Sequence, residues 1–106
     1  MGQISKPGEG VDGVKSVMHW FKIEINKGKD GTYHYVGCSE DDVEALVKKA
    51  QNGFFIRLDE LLYMDRGQIK EWAEWDKTLI PTAHINPKDI IAVMEFKGDP
   101  RELPAA

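Results

Sequence analysis

The stretch that most limits the fold is residues 17–26, VMHWFKIEIN, because apolar and polar residues alternate along it. Phe21, Ile23 and Ile25 would point to one side of an extended chain, with polar residues on the other side. This pattern is typical of a half-buried β-strand. The loop KGKDG follows, and residues 32–38, TYHYVGC, then return as a second strand. The sequence therefore predicts a β-hairpin.

One amphipathic helix is predicted for residues 39–53, SEDDVEALVKKAQNG. Ser39 and Asp42 have the spacing of a capping box, in which two side chains satisfy free amides of the first turn. Acidic residues at the start and lysines near the end are both favourable for the helix dipole. Gly53 would end the helix. The apolar stripe facing the core would consist of Val43, Leu46, Val47 and Ala50.

Three further strands complete the predicted fold. Residues 54–64, FFIRLDELLYM, form the first, and DRG then turns the chain towards residues 68–76, QIKEWAEWD. Residues 90–96, IIAVMEF, are apolar on both faces, which favours a central or well-covered strand. On one face would lie Ile90, Ala92, Met94 and Phe96, with Ile91 and Val93 opposite. The predicted class is α+β: a small, strongly bent antiparallel sheet or partly open barrel of about five strands, β-β-α-β-β-β, with the helix packed on it.

The segment with two tryptophans, residues 68–76, has two interpretations. As a strand, it would turn Ile69, Ala73 and Trp75 towards the core and leave Trp72 outside, because residues three apart then point to opposite faces. As a helix, it would place both indoles on one buried stripe. We favour the strand, since DRG between two apolar stretches is typical of a hairpin loop. The alternative fold replaces this strand by a second helix.

Size and composition predict one domain. The chain has 106 residues, 42% hydrophobic and 30% charged, with a net charge of −4 that disfavours general binding to nucleic acid or anionic membranes. We expect a leader at residues 1–15, a single domain at 16–97 and a flexible tail at 98–106. Cys38 is the only cysteine, residues 1–16 lack the apolar run of a signal peptide, and no apolar run approaches the roughly 18 residues of a membrane span. These features predict a cytoplasmic protein.

The motifs of catalysis and cofactor binding are missing from the sequence. No glycine-rich nucleotide loop and no G-x-S-x-G nucleophile motif occurs. His19, His34 and His84 lie on predicted strands without the close spacing of a local metal motif. On a strand, Cys38 and His34 would be separated by roughly 13 Å, too far for a nucleophile and its base. We therefore expect no enzyme, no catalytic residue, no metal and no cofactor, although Cys38 beside a helix start could be moderately reactive.

Three functions stay open. The first is a non-enzymatic binding or regulatory module that engages a protein partner or a second copy of itself, since exposed aromatic residues are enriched at interfaces. Its tentative site would comprise Trp72, Lys70, Glu74 and Trp20. The second is a small-barrel protein that binds single-stranded nucleic acid through the first hairpin, with Lys22, Lys27, Lys29, Tyr33, Tyr35 and Arg57. The third is a small metal-binding protein or enzyme centred on the histidines.

Overall fold

The computed structural model describes residues 17–103. The predicted leader, residues 1–15, lies outside the described residues, as do residues 104–106 of the predicted tail. In chain order the elements are β1 His19–Asn26, β2 Thr32–Ser39, α1 Val43–Gln51, β3 Ile56–Asp65, β4 Gln68–Glu71, α2 Trp72–Trp75, β5 Ala83–Ile85 and β6 Ile90–Glu95, with 3-10 turns at Gly28–Asp30 and Pro87–Asp89.

The strands form one antiparallel sheet, and the predicted α+β class is confirmed in this coarse form. Its strand order is β4-β3-β2-β1-β6, and β5 pairs with β3. Among residues 17–103 there are six strands rather than about five, because the short segment Ala83–Ile85 pairs with the start of β3. The sheet of these residues is not closed into a barrel, since β4 and β6 end the strand order.

The predicted first hairpin is confirmed. β1 pairs with β2 along its whole length, from His19 opposite Ser39 to Asn26 opposite Thr32. Gly28 and Gly31 adopt φ values of 65° and 85° in the connecting loop, where a side chain would be strained. The Asn26 side chain also accepts a hydrogen bond from the Gly28 amide at 2.8 Å.

The predicted amphipathic helix is also present, but it begins later than the capping box indicated. Its cap is Asp42, whose Oδ1 accepts a hydrogen bond from the Ala45 amide at 2.8 Å. Ser39 ends β2 instead, and its Oγ accepts from the Asp41 amide at 3.0 Å. Both residues are good caps, and pairing of Ser39 with His19 in the sheet leaves the cap to Asp42.

The core is divided between the two faces of the sheet. On the face covered by α1, residues Phe21, Ile23, Leu46 and Leu58 are fully buried in one cluster. On the opposite face, Trp20, Cys38 and Leu62 form a second cluster, flanked by Met18, Val36, Ile69 and Phe96. Trp20 is only 6% exposed, so the expectation that it lies on the surface is wrong.

The closing strand β6 is an edge strand of the described sheet, which corrects the predicted central position. A bulge at Ile91 breaks its alternation, because Glu24 pairs with Ala92 whereas the next residue, Ile25, pairs with Ile90. Ile90 and Val93 consequently both pack against the main core. Ile91 is 53% exposed, and the expected shared face of residues 90, 92, 94 and 96 is not formed.

The two-tryptophan segment contains both a strand and a helical turn. Arg66 and Gly67, with φ values of 53° and 81°, make the predicted hairpin loop, and Gln68–Glu71 then pairs with β3 as β4. The chain next forms the single helical turn α2 at Trp72–Trp75. Trp75 is 64% exposed and Trp72 is half-buried, so the prediction that Trp75 faces the core is wrong.

The segment after β6 contacts the sheet, which the expectation of a flexible tail from residue 98 did not anticipate. Pro100 is buried, and the Arg101 guanidinium lies 4.9 Å from the centre of a Trp20 ring. Arg101 also donates to Asp99 at 2.6 Å and to Glu71 at 2.9 Å. Within residues 17–103, no helix is long and apolar enough to cross a membrane.

Candidate functional site

Pairing between β2 and β3 stops partway along both strands. Val36 pairs with Leu62 and Cys38 pairs with Asp59, with a bulge between these two positions. Glu60, in the bulge, has a φ of 50°, which is unusual for a residue with a side chain. No bridge joins residues 33–35 of β2 to residues 63–65 of β3. The two strands are therefore separate at this end of the sheet.

A cavity of about 640 Å³ lies at this separation, on the face opposite α1. Its volume falls within the usual range of ligand sites, about 300–1,000 Å³. β1 and β2 contribute polar side chains, whereas β3, β4 and the start of α2 contribute mainly apolar and aromatic ones. The lining includes Lys22, Tyr33, His34, Tyr63, Met64 and Trp72.

A second cavity, of about 530 Å³, lies on the face that carries α1. Tyr35, Leu61 and Ala83 line it, and these three residues also pack against the main core. Tyr33 and Trp72 line both cavities. The two cavities therefore meet at the gap between β2 and the β3–β4 hairpin, and we call them together the strand cleft.

Trp72 is held at the cleft by neighbouring aromatic rings. Its ring centre lies 5.0 Å from that of Tyr63, at an interplanar angle of 50°, and 5.1 Å from that of Trp75, nearly perpendicular. Such tilted and edge-to-face contacts are favourable for aromatic pairs. Ile80 lines the second cavity and is 83% exposed, and Trp75, which is 64% exposed, extends the apolar surface beyond the cleft.

The basic side chains that line the cleft are lysines and histidines. Lys22 and His34 line the first cavity, and Lys27 and His84 line the second. Neither cavity has an Asp or Glu among the described residues that line it, although Glu24 lies 3.9 Å from His34 beside the first one. This local balance differs from the net charge of −4 of the whole chain.

Tyr33 combines several of these features. The Lys27 ammonium lies 5.2 Å from the centre of its ring, within cation–π range. Its ring also makes an edge contact with Tyr35, with 5.0 Å between centres. Burial, and then the nearby Tyr35, raise the pKa of the Tyr33 hydroxyl, so this group stays neutral and able to donate a hydrogen bond.

The residues predicted for partner binding lie in different places. Trp72 lines the cleft, and Glu74 is exposed on α2 next to it. Lys70 lies on β4 and forms an ion pair with Asp65 at 3.6 Å. Trp20 is buried beneath Arg101, in the cluster with Cys38 and Leu62.

The residues predicted for nucleic-acid binding are partly brought together. Lys22, Lys27, Tyr33 and Tyr35 line the cleft. Lys29 is exposed in the loop Gly28–Asp30. Arg57 lies in a different cavity, of about 300 Å³, where its Nε donates to Asp59 at 2.9 Å.

Sequence reasoning missed Tyr63, Leu79 and Ile80 as parts of this surface. Tyr63 was hidden within an apolar strand pattern, and only its register opposite Lys70 places it beside Trp72. Leu79 and Ile80 precede Pro81 in a loop, where they are 54% and 83% exposed. Adjacent apolar residues in a loop were the available signal, because exposed apolar groups outside regular structure often mark contact sites.

Cys38 is not the reactive thiol that the sequence suggested. It is fully buried, and its Sγ lies 3.6 Å from Glu60 Oε2. Burial and the neighbouring Glu60 carboxylate raise the pKa of this thiol to about 12. Since the thiolate is the nucleophile, both the raised pKa and the full burial disfavour a reactive role for Cys38.

The three histidines have separate environments. His19 Nδ1 lies 3.2 Å from Glu95 Oε2, His34 lies beside Glu24, and His84 pairs with Arg57 across the sheet. Within the described residues, no group of three His, Cys, Asp or Glu side chains is arranged to hold a metal ion. The hypothesis of a metal site centred on the histidines therefore gains no geometric support from residues 17–103.

No protein-family model, curated protein or solved structure matches this chain.

Proposed function

We propose that this protein is a non-enzymatic binding module that engages a protein partner through the strand cleft. The observation that carries the proposal is that Tyr33 and Trp72 line cavities on both faces of the sheet at the point where β2 and β3 separate. Tyrosine and tryptophan are the residues most enriched among energetic hot spots of protein interfaces. Trp72 stays a binding residue in this proposal, whereas the buried Trp20 does not.

The surroundings of the cleft support contact with a macromolecule. Trp75, Leu79 and Ile80 are 64%, 54% and 83% exposed and lie on α2 and the loop that follows it. Large exposed apolar residues that lie close together are a common sign of an interaction surface. The single cysteine is consistent with a reducing compartment, and we include a cytoplasmic location in the proposal.

Variants on either side of the cleft test this function. Trp72→Ala removes one of the two rings that line both cavities. Ile80→Asp places a charge at the exposed edge of the second cavity, outside the buried core. Phe54→Ala is the matched control, because Phe54 is 61% exposed but does not line the cleft. We expect partner binding, measured by quantitative affinity capture, to fall at least tenfold for the first two variants and to stay unchanged for the control.

Light scattering on the purified chain separates a foreign partner from a second copy. Self-association through the same surface would give the wild type a mass that rises with concentration. Ile80→Asp would then have the mass of a monomer. A strict monomer whose captured partners are the same for the wild type, Trp72→Ala and Ile80→Asp would contradict the proposal. Circular dichroism of each variant checks that the fold is intact.

Binding of single-stranded nucleic acid is the second candidate. It is favoured by Lys27 lying over the Tyr33 ring and by Lys22 in the same cleft, since lysines beside aromatic rings are the usual elements of such sites. A fluorescent thymidine 12-mer at about 50 mM salt is the probe, because phosphate contacts are strongest at low salt. No change in anisotropy would remove this candidate.

A further inference from the structure

We propose that the partner segment is an acidic peptide that binds as an added strand between β2 and β3, with its carboxylates reaching Lys22 and Lys27. This inference rests on the proposed function, because it names the chemistry of the partner at the same cleft. It depends on three separate observations: the interrupted strand pairing, the positive lining and the shared aromatic residues.

The first observation is the interrupted pairing. β1 engages β2 on one side from Thr32 to Ser39, but β3 engages the other side only at Val36 and Cys38. Alternate residues of an antiparallel strand direct their N–H and C=O groups to opposite neighbours. Alternate residues within 33–35 thus direct their backbone groups towards the gap, where no strand of residues 17–103 pairs with them. An extended peptide would pair with these groups, as in other cases of β-strand addition.

The second observation is the charge of the lining. Successive side chains of an inserted strand point to opposite faces of the sheet. Lys22 lines the cavity on one face, and Lys27 lines the cavity on the other. No Asp or Glu is among the described residues that line either cavity. Adjacent acidic residues of the peptide would therefore each meet a lysine, whereas a basic peptide would meet two like charges. The positive lining of the cleft is locally complementary to carboxylates, although the whole chain has a net charge of −4.

The third observation concerns the apolar part of the peptide. Tyr33 and Trp72 reach both cavities, and Tyr63 packs against Trp72 at 5.0 Å. Apolar or aromatic side chains next to the acidic pair would stack on these rings. A duplex or single strand of nucleic acid would use the same lysines but has no groups that continue the backbone ladder of β2. The geometry thus favours a peptide over a polynucleotide.

Selection from a random library of displayed ten-residue peptides tests the inference. We expect the peptides retained by the wild-type protein to be enriched at least twofold in Asp and Glu, with apolar neighbours. For a synthetic copy of the most enriched peptide, Lys22→Glu and Lys27→Glu should each weaken binding at least tenfold. Lys88→Glu is the control for net charge, because Lys88 is exposed in the turn Pro87–Asp89 and does not line the cleft.

Hydrogen exchange of the complex tests the strand geometry itself. Peptide binding should slow exchange of amides in residues 33–35 and 63–65, while the amides of α1 stay unchanged. Enrichment of basic or uncharged peptides, absence of any enrichment, or binding without slower exchange at these two segments would each overturn the inference.

These outcomes are distinct from failure of the proposed function. A protein partner that requires Trp72 and Ile80, combined with no acidic peptide in the selection, would leave the binding module standing and remove the acidic strand. Tight binding of the thymidine 12-mer with no peptide or protein partner would remove both.

Discussion

The two ends of β3 have opposite characters, although they belong to one continuous strand. At its start, Leu58 has no exposed surface and lies in the main core, and β5 pairs alongside. At its end, Met64 is 67% exposed and lines the strand cleft. The change occurs at the bulge around Glu60, where pairing with β2 is interrupted. One strand thus serves both as a core element and as one wall of the strand cleft.

The difference between the two ends has a simple steric basis. Gly37 faces β3 at the paired end, and a Cβ on it would lie 2.8 Å from the Asp59 carbonyl oxygen. At the separated end the β2 residues on the same face are Tyr33 and Tyr35, whose rings contact each other and line the second cavity. A bulge bends its strand and ends regular pairing, which allows the two ends to diverge.

Truncation of one residue at each end of β3 should give the largest difference in stability between two variants. We expect Leu58→Ala to lower the free energy of unfolding by about 2–5 kcal/mol, because it empties part of a fully buried core. Met64→Ala should change it by less than about 0.5 kcal/mol, since that side chain is mostly in solvent. Urea denaturation of both variants gives the comparison, and equal losses would mean that the cleft end is packed as tightly as the core.

Gly37→Ala should have the second largest effect. The new methyl group would lie 2.8 Å from the Asp59 oxygen and 3.0 Å from the Leu58 Cβ, so β2 and β3 would have to separate at the paired end as well. Overpacking of this kind costs about 1–3 kcal/mol. Thermal unfolding measures the loss.

Gly98→Ala is the matched control for this substitution. A Cβ at Gly98 meets only the Leu103 Cδ2, at an ordinary contact distance of 3.7 Å. We expect Gly98→Ala to change the free energy of unfolding by no more than about 0.5 kcal/mol. If both alanine variants were equally stable, the close approach of β3 to Gly37 would not be what holds the paired end together.

Sequence reasoning identified the elements whose signal is local. Alternation around Phe21 and Ile23 defined the first hairpin, and the stripe around Leu46 defined α1, because each depends on residues near in sequence. For residues 68–76 the favoured strand is present only at Gln68–Glu71, and the helical turn at Trp72–Trp75 was not expected beside it. Both elements are too short to show a period in the sequence.

The cleft itself was not predictable from sequence. It depends on where the β2–β3 ladder stops, and the ladder joins residues far apart in sequence, such as Gly37 and Asp59, which approach closely although they are 22 residues apart. The strand interpretation left Trp72 outside the core, whereas the ring is half-buried. Trp20 was not recognised as buried, because Arg101 covers it from far along the chain. Contacts between distant residues leave no periodic trace in a sequence.

Arg101→Ala should lower the free energy of unfolding by about 1 kcal/mol at pH 7, less than Leu58→Ala or Gly37→Ala. It removes a cation–π contact with Trp20 and ion pairs with Asp99 and Glu71, but the side chain is 30% exposed, so solvent weakens these interactions. Lys97→Ala, an exposed site in the same segment, is the control for lost charge.

The effect of Arg101→Ala should also depend on pH. Hydrogen bonds from Arg101 lower the pKa of the Asp99 carboxyl below its ordinary value. A lowered pKa in the folded state stabilises the fold at pH values above the ordinary value of about 3.9, and this contribution is lost as pH falls through the folded-state pKa. The difference in the free energy of unfolding between wild type and Arg101→Ala, measured by urea denaturation, should thus be constant from pH 7 to about 5 and shrink towards pH 2. A difference that stays constant down to pH 2 would assign the stabilisation to the Trp20 contact instead, because that contact does not involve the Asp99 carboxylate.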